Sequence, residues 1–268
     1  MATTSTAALL DAWDQGCDAS PGERALILLG AAHPEAPAAT LSGWPVGRRD
    51  AALLMFCERL FGPHLPAQAS CPRCAVLLEL EVDVARLRAT APPETADSFV
   101  FGSGGYRVTY RLPSAGDLAA LEKEGRVGGS PMGRWLADRC IVAVERDDAA
   151  ADGAELPAAA AASSVVSARH PLEIPADIVA ALEREIAETV AAADPLAEIA
   201  LELACPACAT TWSAPFDIVR FLWSELDGWA SRTLDDVHIL ASRYGWSEGE
   251  ILALSPQRRQ RYRDLIEL

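Results

Sequence analysis

The chain has 268 residues, half of them hydrophobic and 23% charged, a composition typical of a globular protein and not of a disordered one. Its formal net charge of −15 disfavours sequence-independent binding to nucleic acid, because an acidic surface repels a polyanion. No apolar run reaches the roughly 18 residues that cross a bilayer, which argues against a membrane span.

The first region, residues 1–66, is predicted to be helical. Ser20 and Pro21 form a typical helix start, with the serine as N-cap and the proline at the first helical position. The stretch VGRRDAALLMFCERLFG repeats apolar residues at helical spacing until a Gly-Pro pair ends it. Cys57 lies within this repeat and is therefore predicted to be a small core residue.

The second region, residues 67–146, is predicted to hold the first zinc knuckle, a Cys-x-x-Cys turn that supplies two metal ligands, together with strands and a helix. After Cys71 and Cys74, the stretch AVLLELEVDV alternates apolar and acidic residues, as a half-exposed strand does. The stretch FVFGSGGYRVTY predicts a β-hairpin that turns at GSGG, and Ser114 is the expected N-cap of the next helix. The stretch PMGRWLADRCIVAVE predicts a helix that leads into a strand.

The third and fourth regions differ sharply in composition. Residues 147–170 are low in complexity and poor in large apolar side chains, which indicates a linker. Residues 171–215 are predicted to form an amphipathic helix, followed by a strand, the second zinc knuckle and another strand.

The fifth region, residues 216–268, is predicted to be a helical C-terminal tail. A long helix presents one continuous apolar seam and ends at Gly245, the expected left-handed cap. Ser247 and Glu250 form a capping box for a short helix, and Ser255 precedes the last helix. The seam consists of Leu222, Leu226, Trp229, Thr233, Val237, Leu240 and Tyr244.

Two nearly identical Cys-Pro-x-Cys tetrapeptides occur at residues 71–74 and 205–208. A Cys-x-x-Cys turn presents two sulfurs to one metal ion, and two such turns complete the tetrahedral sphere that zinc prefers. We expect a cytoplasmic protein, in which thiols stay reduced and a cysteine pair favours metal binding or catalysis over a disulfide. The predicted ligands of a structural zinc ion are Cys71, Cys74, Cys205 and Cys208.

Two other interpretations of these cysteines stay open. They can be buried thiols, or thioredoxin-like redox pairs, although a redox pair normally begins a helix and both pairs here precede predicted strands. His64 is a candidate substitute ligand, while Cys17 and Cys140 are predicted to be core residues. Ala75 and Ala209 stand where many knuckles have glycine.

Together these elements predict an α+β fold. It is mainly helical, with a small antiparallel β module around the four-cysteine zinc site and a helical C-terminal tail. The sequence shows no nucleophile elbow, phosphate-binding loop or paired-carboxylate motif. We therefore expect no enzymatic activity and no small-molecule substrate.

The C-terminal tail also holds the candidate partner-binding residues. Its arginines, grouped beside a tyrosine, could belong to a helix-turn-helix, but a solvated basic face is favoured because the chain as a whole is acidic. Such a face would bind an acidic protein surface. The candidates are Trp223, Trp229, Trp246, Arg258, Arg259, Arg261 and Tyr262.

Several stretches carry a family likeness in chain order: VGRRDAALLMFCERLFGPHL before CPRC, then YRLPSAGDLAAL, then DPLAEIALELACPAC, then the block from Phe216 to Tyr262. They resemble the baseplate proteins of T-even-type contractile phage tails, often labelled baseplate hub assembly chaperones, with relatives in bacterial contractile injection systems. The resemblance spans nearly the whole chain apart from residues 147–168, and the final block is its most specific part.

The resemblance implies a non-catalytic protein that acts in baseplate or hub assembly, with the two cysteine pairs as a metal site. Its expected partners are baseplate hub, spike or tape-measure proteins, and it would stay in the cytoplasm or become incorporated into a tail particle. The alternative is a zinc-stabilised regulatory or nucleic-acid-binding adaptor that uses the tail helices.

Overall fold

The structure is a computed structural model that describes residues 4–89, 96, 98–125, 130–146 and 176–266. The predicted linker at 147–170 lies outside the described residues. The helices are α1 (Thr6–Gly16), α2 (Pro21–Ala32), α3 (Ala38–Ser42), α4 (Val46–Phe61), α5 (Val84–Arg88), α6 (Ala115–Lys123), α7 (Ser130–Cys140), α8 (Ala176–Ala193), α9 (Ile218–Tyr244), α10 (Glu248–Leu252) and α11 (Pro256–Ile266). The strands are β1 (His64–Ser70), β2 (Leu77–Asp83), β3 (Phe99–Ser103), β4 (Tyr106–Tyr110), β5 (Ile141–Arg146), β6 (Ala200–Ala204) and β7 (Thr211–Pro215).

The prediction of a mainly helical α+β fold is confirmed. Within the described ranges, the strands form small antiparallel sheets with the orders β1-β2, β3-β4-β5 and β6-β7. The C-terminal region is helical through α9, α10 and α11, as the sequence predicts.

Side-chain caps fix several helix ends where the sequence predicts them. The helices α2, α6 and α10 each begin with a capping box, in which a serine and the acidic residue three positions later each accept the other's backbone N–H. A cap of this kind stabilises its helix by about 1 kcal/mol. Gly245 ends α9 with a φ of 69°, a left-handed conformation that glycine adopts without steric cost.

Two predicted boundaries around the first knuckle are wrong. The helical prediction for residues 1–66 fails at its end, because β1 already begins at His64. The stretch HLPAQAS does alternate apolar and polar residues, but alanine and proline are weak strand formers, so its signal is faint. The predicted strand after the cysteines ends at Asp83, and Val84 begins α5 instead.

The chain divides into two compact units. The first contains residues 1–41, 52–84 and 200–268, and the second contains residues 42–51 and 85–199. Both cysteine pairs therefore belong to the first unit. No helix in the described ranges combines the length and the apolar character needed to cross a bilayer.

In the first unit, α1, α2 and α9 pack together around Trp223. A Cβ atom on Gly16 would lie 2.3 Å from the Trp223 ring, so the close approach of α1 to α9 requires glycine at this position. The Arg24 guanidinium covers the ring from α2, 4.4 Å from its centre. Trp13 donates a hydrogen bond from Nε1 to the Asp227 carboxylate at 2.8 Å. These contacts join the N-terminal helices to the long C-terminal helix.

In the second unit, side chains of α7 and α8 share a core with the sheet β3-β4-β5. The hydroxyl groups of Tyr110 and Thr189 lie 2.6 Å apart and form a hydrogen bond between β4 and α8. The buried members of this core are Val108, Tyr110, Ala137, Cys140, Leu182 and Ile186.

A buried carboxylate organises the polar side of the second unit. Asp117 accepts hydrogen bonds from Arg111 at 2.6 Å and from Arg139 at 3.0 Å, and it also caps the backbone N–H of Ser114 at 2.9 Å. Burial acts to raise the pKa of Asp117, but the arginines and Ser114 outweigh it and lower the pKa to about 2. The charged form is therefore the stable form at neutral pH.

Replacing Asp117 by asparagine removes this charge and keeps the shape. Because the folded-state pKa lies below its ordinary 3.8, the carboxylate stabilises the folded protein above about pH 4, and this contribution is lost as the pH falls toward 2. We expect Asp117→Asn to lower the free energy of unfolding by about 2 kcal/mol at pH 7, and by roughly half as much at pH 3. Urea titrations measure both values, and an equal loss at the two pH values would contradict this account.

Candidate metal centre

Each cysteine pair lies in the loop of a two-stranded hairpin. The first loop, residues 71–76, joins β1 to β2, and the second, residues 205–210, joins β6 to β7. The sequence predicts a strand on both sides of the second pair but misses β1 before the first. With β1 included, the two motifs have the same arrangement of strand, knuckle and strand.

The two loops also share one backbone conformation. In the first, the N–H of Cys71 donates to the carbonyl of Val76, and the N–H of Ala75 donates to the carbonyl of Cys71, both at 2.9 Å. In the second, Cys205 donates to Thr210 and Ala209 donates to Cys205, again both at 2.9 Å. This repeated bonding turns both cysteines of a pair toward the same side of the loop.

Ala75 and Ala209 adopt the left-handed conformation that glycine usually supplies. Their φ angles are 59° and 57°, and they are the non-glycine residues with positive φ in the described part of the chain. This conformation costs an alanine roughly 1–2 kcal/mol, because its Cβ approaches the following carbonyl oxygen. Strain of this kind persists where the surrounding structure requires it, and both instances here directly follow a cysteine pair.

Ala75→Gly and Ala209→Gly are each expected to stabilise the protein. Glycine removes the steric cost of the left-handed conformation, and the greater freedom of the unfolded chain offsets part of that gain. We expect each variant to raise the melting temperature by about 1–3 °C. The matched control is Ala69→Gly in β1, which should lower the melting temperature. A decrease for both knuckle variants would show that the left-handed alanines carry no strain.

The four cysteine sulfurs converge on one point. All four lie within 4.8 Å of one another. The sulfurs of Cys71 and Cys208 are 3.6 Å apart, as are those of Cys74 and Cys205, although the paired residues are 137 and 131 positions apart in the chain. Zinc–sulfur bonds of about 2.3 Å require sulfur–sulfur edges of about 3.8 Å in a tetrahedron. The prediction that the two motifs form a single four-cysteine cluster is confirmed.

The cluster is unevenly exposed. The first cysteine of each pair is buried: Cys71 is 2% exposed and Cys205 is 3% exposed. Cys74 is exposed and Cys208 is half-buried. Cys74 is therefore the cysteine of the cluster that is most open to the solvent.

Hydrogen bonds at the second knuckle favour the thiolate form of Cys208. The Cys208 thiol donates to the Thr210 hydroxyl oxygen at 3.3 Å, and once the thiol is ionised the same hydroxyl donates to the thiolate. This hydroxyl and the Thr210 backbone N–H lower the pKa of the Cys208 thiol to about 6. Thr210 is not among the predicted site residues, because its position directly before β7 is its only signal in the sequence. The equivalent residue in the first knuckle is Val76, which has no hydroxyl.

The first knuckle holds two thiols whose pKa values move in opposite directions. Burial acts to raise the pKa of Cys71, but backbone N–H groups of Cys74 and Arg73 outweigh it and lower the pKa. The Val76 N–H acts to lower the pKa of Cys74, but burial and the neighbouring thiols raise it to about 12. Four thiolates this close repel one another, so a cation is needed before all four can lose their protons.

The donor set matches a structural metal ion. Four thiolates at tetrahedral spacing fill the coordination sphere that zinc prefers, and they leave no position for a water molecule. An ion held in this way activates no water and polarises no substrate. What it can do is hold together the two hairpins that supply its ligands.

The remaining cysteines and His64 lie outside the cluster. Cys17 is exposed, so its prediction as a core residue is wrong: it is the C-cap residue of α1, and its thiol donates to the Trp13 carbonyl at 3.3 Å on the exposed end of the helix. Cys57 and Cys140 are buried as predicted, and burial raises the pKa of these thiols to about 12 and about 11. His64 Nδ1 lies 3.2 Å from the Glu81 carboxylate and contributes no atom to the cluster.

The structure buries two of the predicted partner-binding residues. Trp223 is 9% exposed in the helical core, and Arg259 is 3% exposed, with its Nε 3.6 Å from the Asp236 carboxylate. Successive helical residues differ by about 100° in direction, so Arg259 faces inward while Arg258 and Arg261 face the solvent. Burial leaves Trp223 and Arg259 little surface to offer a partner, and their role in partner binding stays a prediction.

The other tail candidates are at least partly accessible. Trp246 stacks on Tyr244 with ring centres 4.7 Å apart, and Tyr262 meets Trp246 edge-on at 4.9 Å. Trp229 is half-buried on α9. That these side chains and the exposed arginines bind a partner stays a prediction.

Comparison with protein-family models, with curated proteins and with solved structures finds no match for this chain. The chemistry assigned to the cluster therefore follows from its own geometry. The resemblance to baseplate proteins stays a prediction.

Proposed function

We propose that this chain is a non-enzymatic protein that holds one structural zinc ion between its two knuckles. The observation that carries the proposal is the convergence of four sulfurs from hairpins that lie more than a hundred residues apart. Two matched loops with the same hydrogen bonds and the same left-handed alanine form this cluster. The ligands are Cys71, Cys74, Cys205 and Cys208.

Zinc is favoured as the metal because the ligand set is all thiolate and tetrahedral. A two-stranded hairpin is only marginally stable in water, and among the described residues neither β1-β2 nor β6-β7 gains a third strand. A structural zinc ion contributes on the order of 10 kcal/mol in small zinc domains. That amount is enough to hold both hairpins in place.

We further propose that the protein acts in a phage-like contractile tail or injection system, as a baseplate hub component or assembly chaperone. The ordered sequence resemblance supports this role, and its most specific block coincides with α9, α10 and α11. The partners would be hub, spike or tape-measure proteins. The protein would work in the cytoplasm or within an assembled tail particle.

A second candidate function is a zinc-stabilised regulatory or nucleic-acid-binding adaptor. The observation that favours it is the exposure of Arg258 and Arg261 on α11, beside the partly exposed Tyr262. Arginines of this kind contact phosphate groups. The net charge of −15 weighs against this candidate, because the rest of the surface repels a polyanion.

Cys205→Ser tests the structural metal site. The variant loses one thiolate of four, so we expect it to release about one metal ion per chain and to melt lower by about 10 °C or more. Elemental analysis and thermal melts of purified protein measure both effects. Cys17→Ser and Cys140→Ser are the controls and should keep the metal. Unchanged metal content and melting behaviour in Cys205→Ser would contradict the proposal.

Co-purification tests the assembly role. The tagged protein is expressed together with the hub, spike and tape-measure proteins of a contractile tail, and we expect one of these to be recovered with it. The adaptor function predicts instead that the protein binds DNA, that binding weakens steeply with salt, and that Arg258→Ala with Arg261→Ala abolishes it. Salt-sensitive DNA binding without any recovered tail protein would overturn the assembly role.

A further inference from the structure

Among the four cluster cysteines, Cys74 alone is both exposed and in the knuckle that lacks a threonine hydroxyl. It is exposed, whereas Cys71 and Cys205 are buried and Cys208 is half-buried. Its knuckle also offers no hydroxyl group to the sulfur, because Val76 stands where the second knuckle has Thr210. A reagent from the solvent therefore meets Cys74 first.

A close partner of the Cys74 sulfur comes from the other knuckle. The Cys74 and Cys205 sulfurs are 3.6 Å apart, and a disulfide requires them to approach to about 2.05 Å. The Cys71 and Cys208 sulfurs show the same spacing of 3.6 Å. The cluster can thus close two disulfides across the knuckles through short movements of side chains.

We propose that Cys74 is a modification site for hydrogen peroxide, and that Cys205 then forms a disulfide with it across the two knuckles. In the metal-loaded cluster, where all four sulfurs are ionised, the Cys74 thiolate attacks hydrogen peroxide, so an S–O bond forms, the O–O bond breaks and hydroxide leaves. The Cys205 thiolate attacks the resulting sulfenic acid, so the S–S bond forms and a second hydroxide leaves. Together the two sulfurs lose two electrons, which reduce the peroxide, and two solvent protons convert the hydroxides to water.

This inference rests on the proposed metal site and extends it. A disulfide takes two of the four thiolates away from a bound ion, so oxidation releases the metal. A second peroxide molecule can join Cys71 to Cys208 by the same steps. Because both disulfides cross between hairpins, the oxidised protein keeps β1-β2 tethered to β6-β7 after the metal has left.

The test uses the full-length, metal-loaded protein in a Cys17→Ser background, which removes the exposed thiol outside the cluster. Its metal content is measured first, and hydrogen peroxide is then added in stoichiometric amounts. A chromogenic chelator follows metal release, dimedone traps sulfenic acid, and mass spectrometry maps the disulfides. We expect loss of the bound metal, a dimedone adduct on Cys74 and a peptide that links Cys74 to Cys205.

Val76→Thr and Thr210→Val are matched variants that should fold with the metal bound. A hydroxyl at residue 76 donates to the Cys74 sulfur and makes it a weaker nucleophile, so metal release should slow several-fold. Thr210→Val removes the donor from Cys208 and should add a dimedone adduct there. Equal release rates in the wild type and Val76→Thr would contradict the role of Cys74.

A disulfide between Cys71 and Cys74, or a first adduct on Cys208, would overturn the inference. Mapping the disulfides of reduced, metal-free protein after the same peroxide treatment tests the inference separately from the proposed zinc site. A protein that never holds metal contradicts the zinc proposal alone, provided that Cys74 still pairs with Cys205. A protein that holds metal but forms disulfides within each knuckle contradicts only the inference.

Discussion

The approach of four sulfurs to one point is the constraint on which the two hairpins of the first unit depend. The residues that meet are 131 and 137 positions apart, and each pair stands on a hairpin to which the described part of the chain adds no third strand. Such hairpins bury too little apolar surface to be stable alone. Ionised thiolates at this spacing also repel one another. A cation at the centre resolves both difficulties, because it neutralises the sulfurs and joins the hairpins.

The helices of the first unit are stabilised by different means. Trp223 packs between α1 and α9 where Gly16 permits a close approach, and Arg24 covers its ring. Capping boxes and Gly245 fix the helix ends independently of the knuckles. Loss of the metal is therefore a local event in this account: the hairpins loosen first, while the helical core keeps its packing. The strained left-handed residues Ala75 and Ala209 lie in the two cysteine loops, which are the segments that the metal would hold in place.

Local patterns in the sequence predict most of the fold and the whole cysteine cluster. The Ser20, Ser114 and Ser247 caps and the α9 seam are encoded in neighbouring residues, and the matching Cys-Pro-x-Cys motifs indicate one shared site. The features that local patterns do not predict have tertiary causes. Burial of Trp223 and Arg259 depends on which helix packs against them. Strand β1 forms because β2 pairs with it, whereas its own residues favour a strand only weakly.

The most direct measurement of the central claim is the X-ray absorption spectrum of the metal in protein purified under reducing conditions. The account predicts a zinc edge with four sulfur neighbours at about 2.3 Å and no oxygen or nitrogen in the first coordination shell. A shell that contains nitrogen or oxygen would mean that the four cysteines do not close around one ion. Protein that carries no zinc would contradict the account altogether.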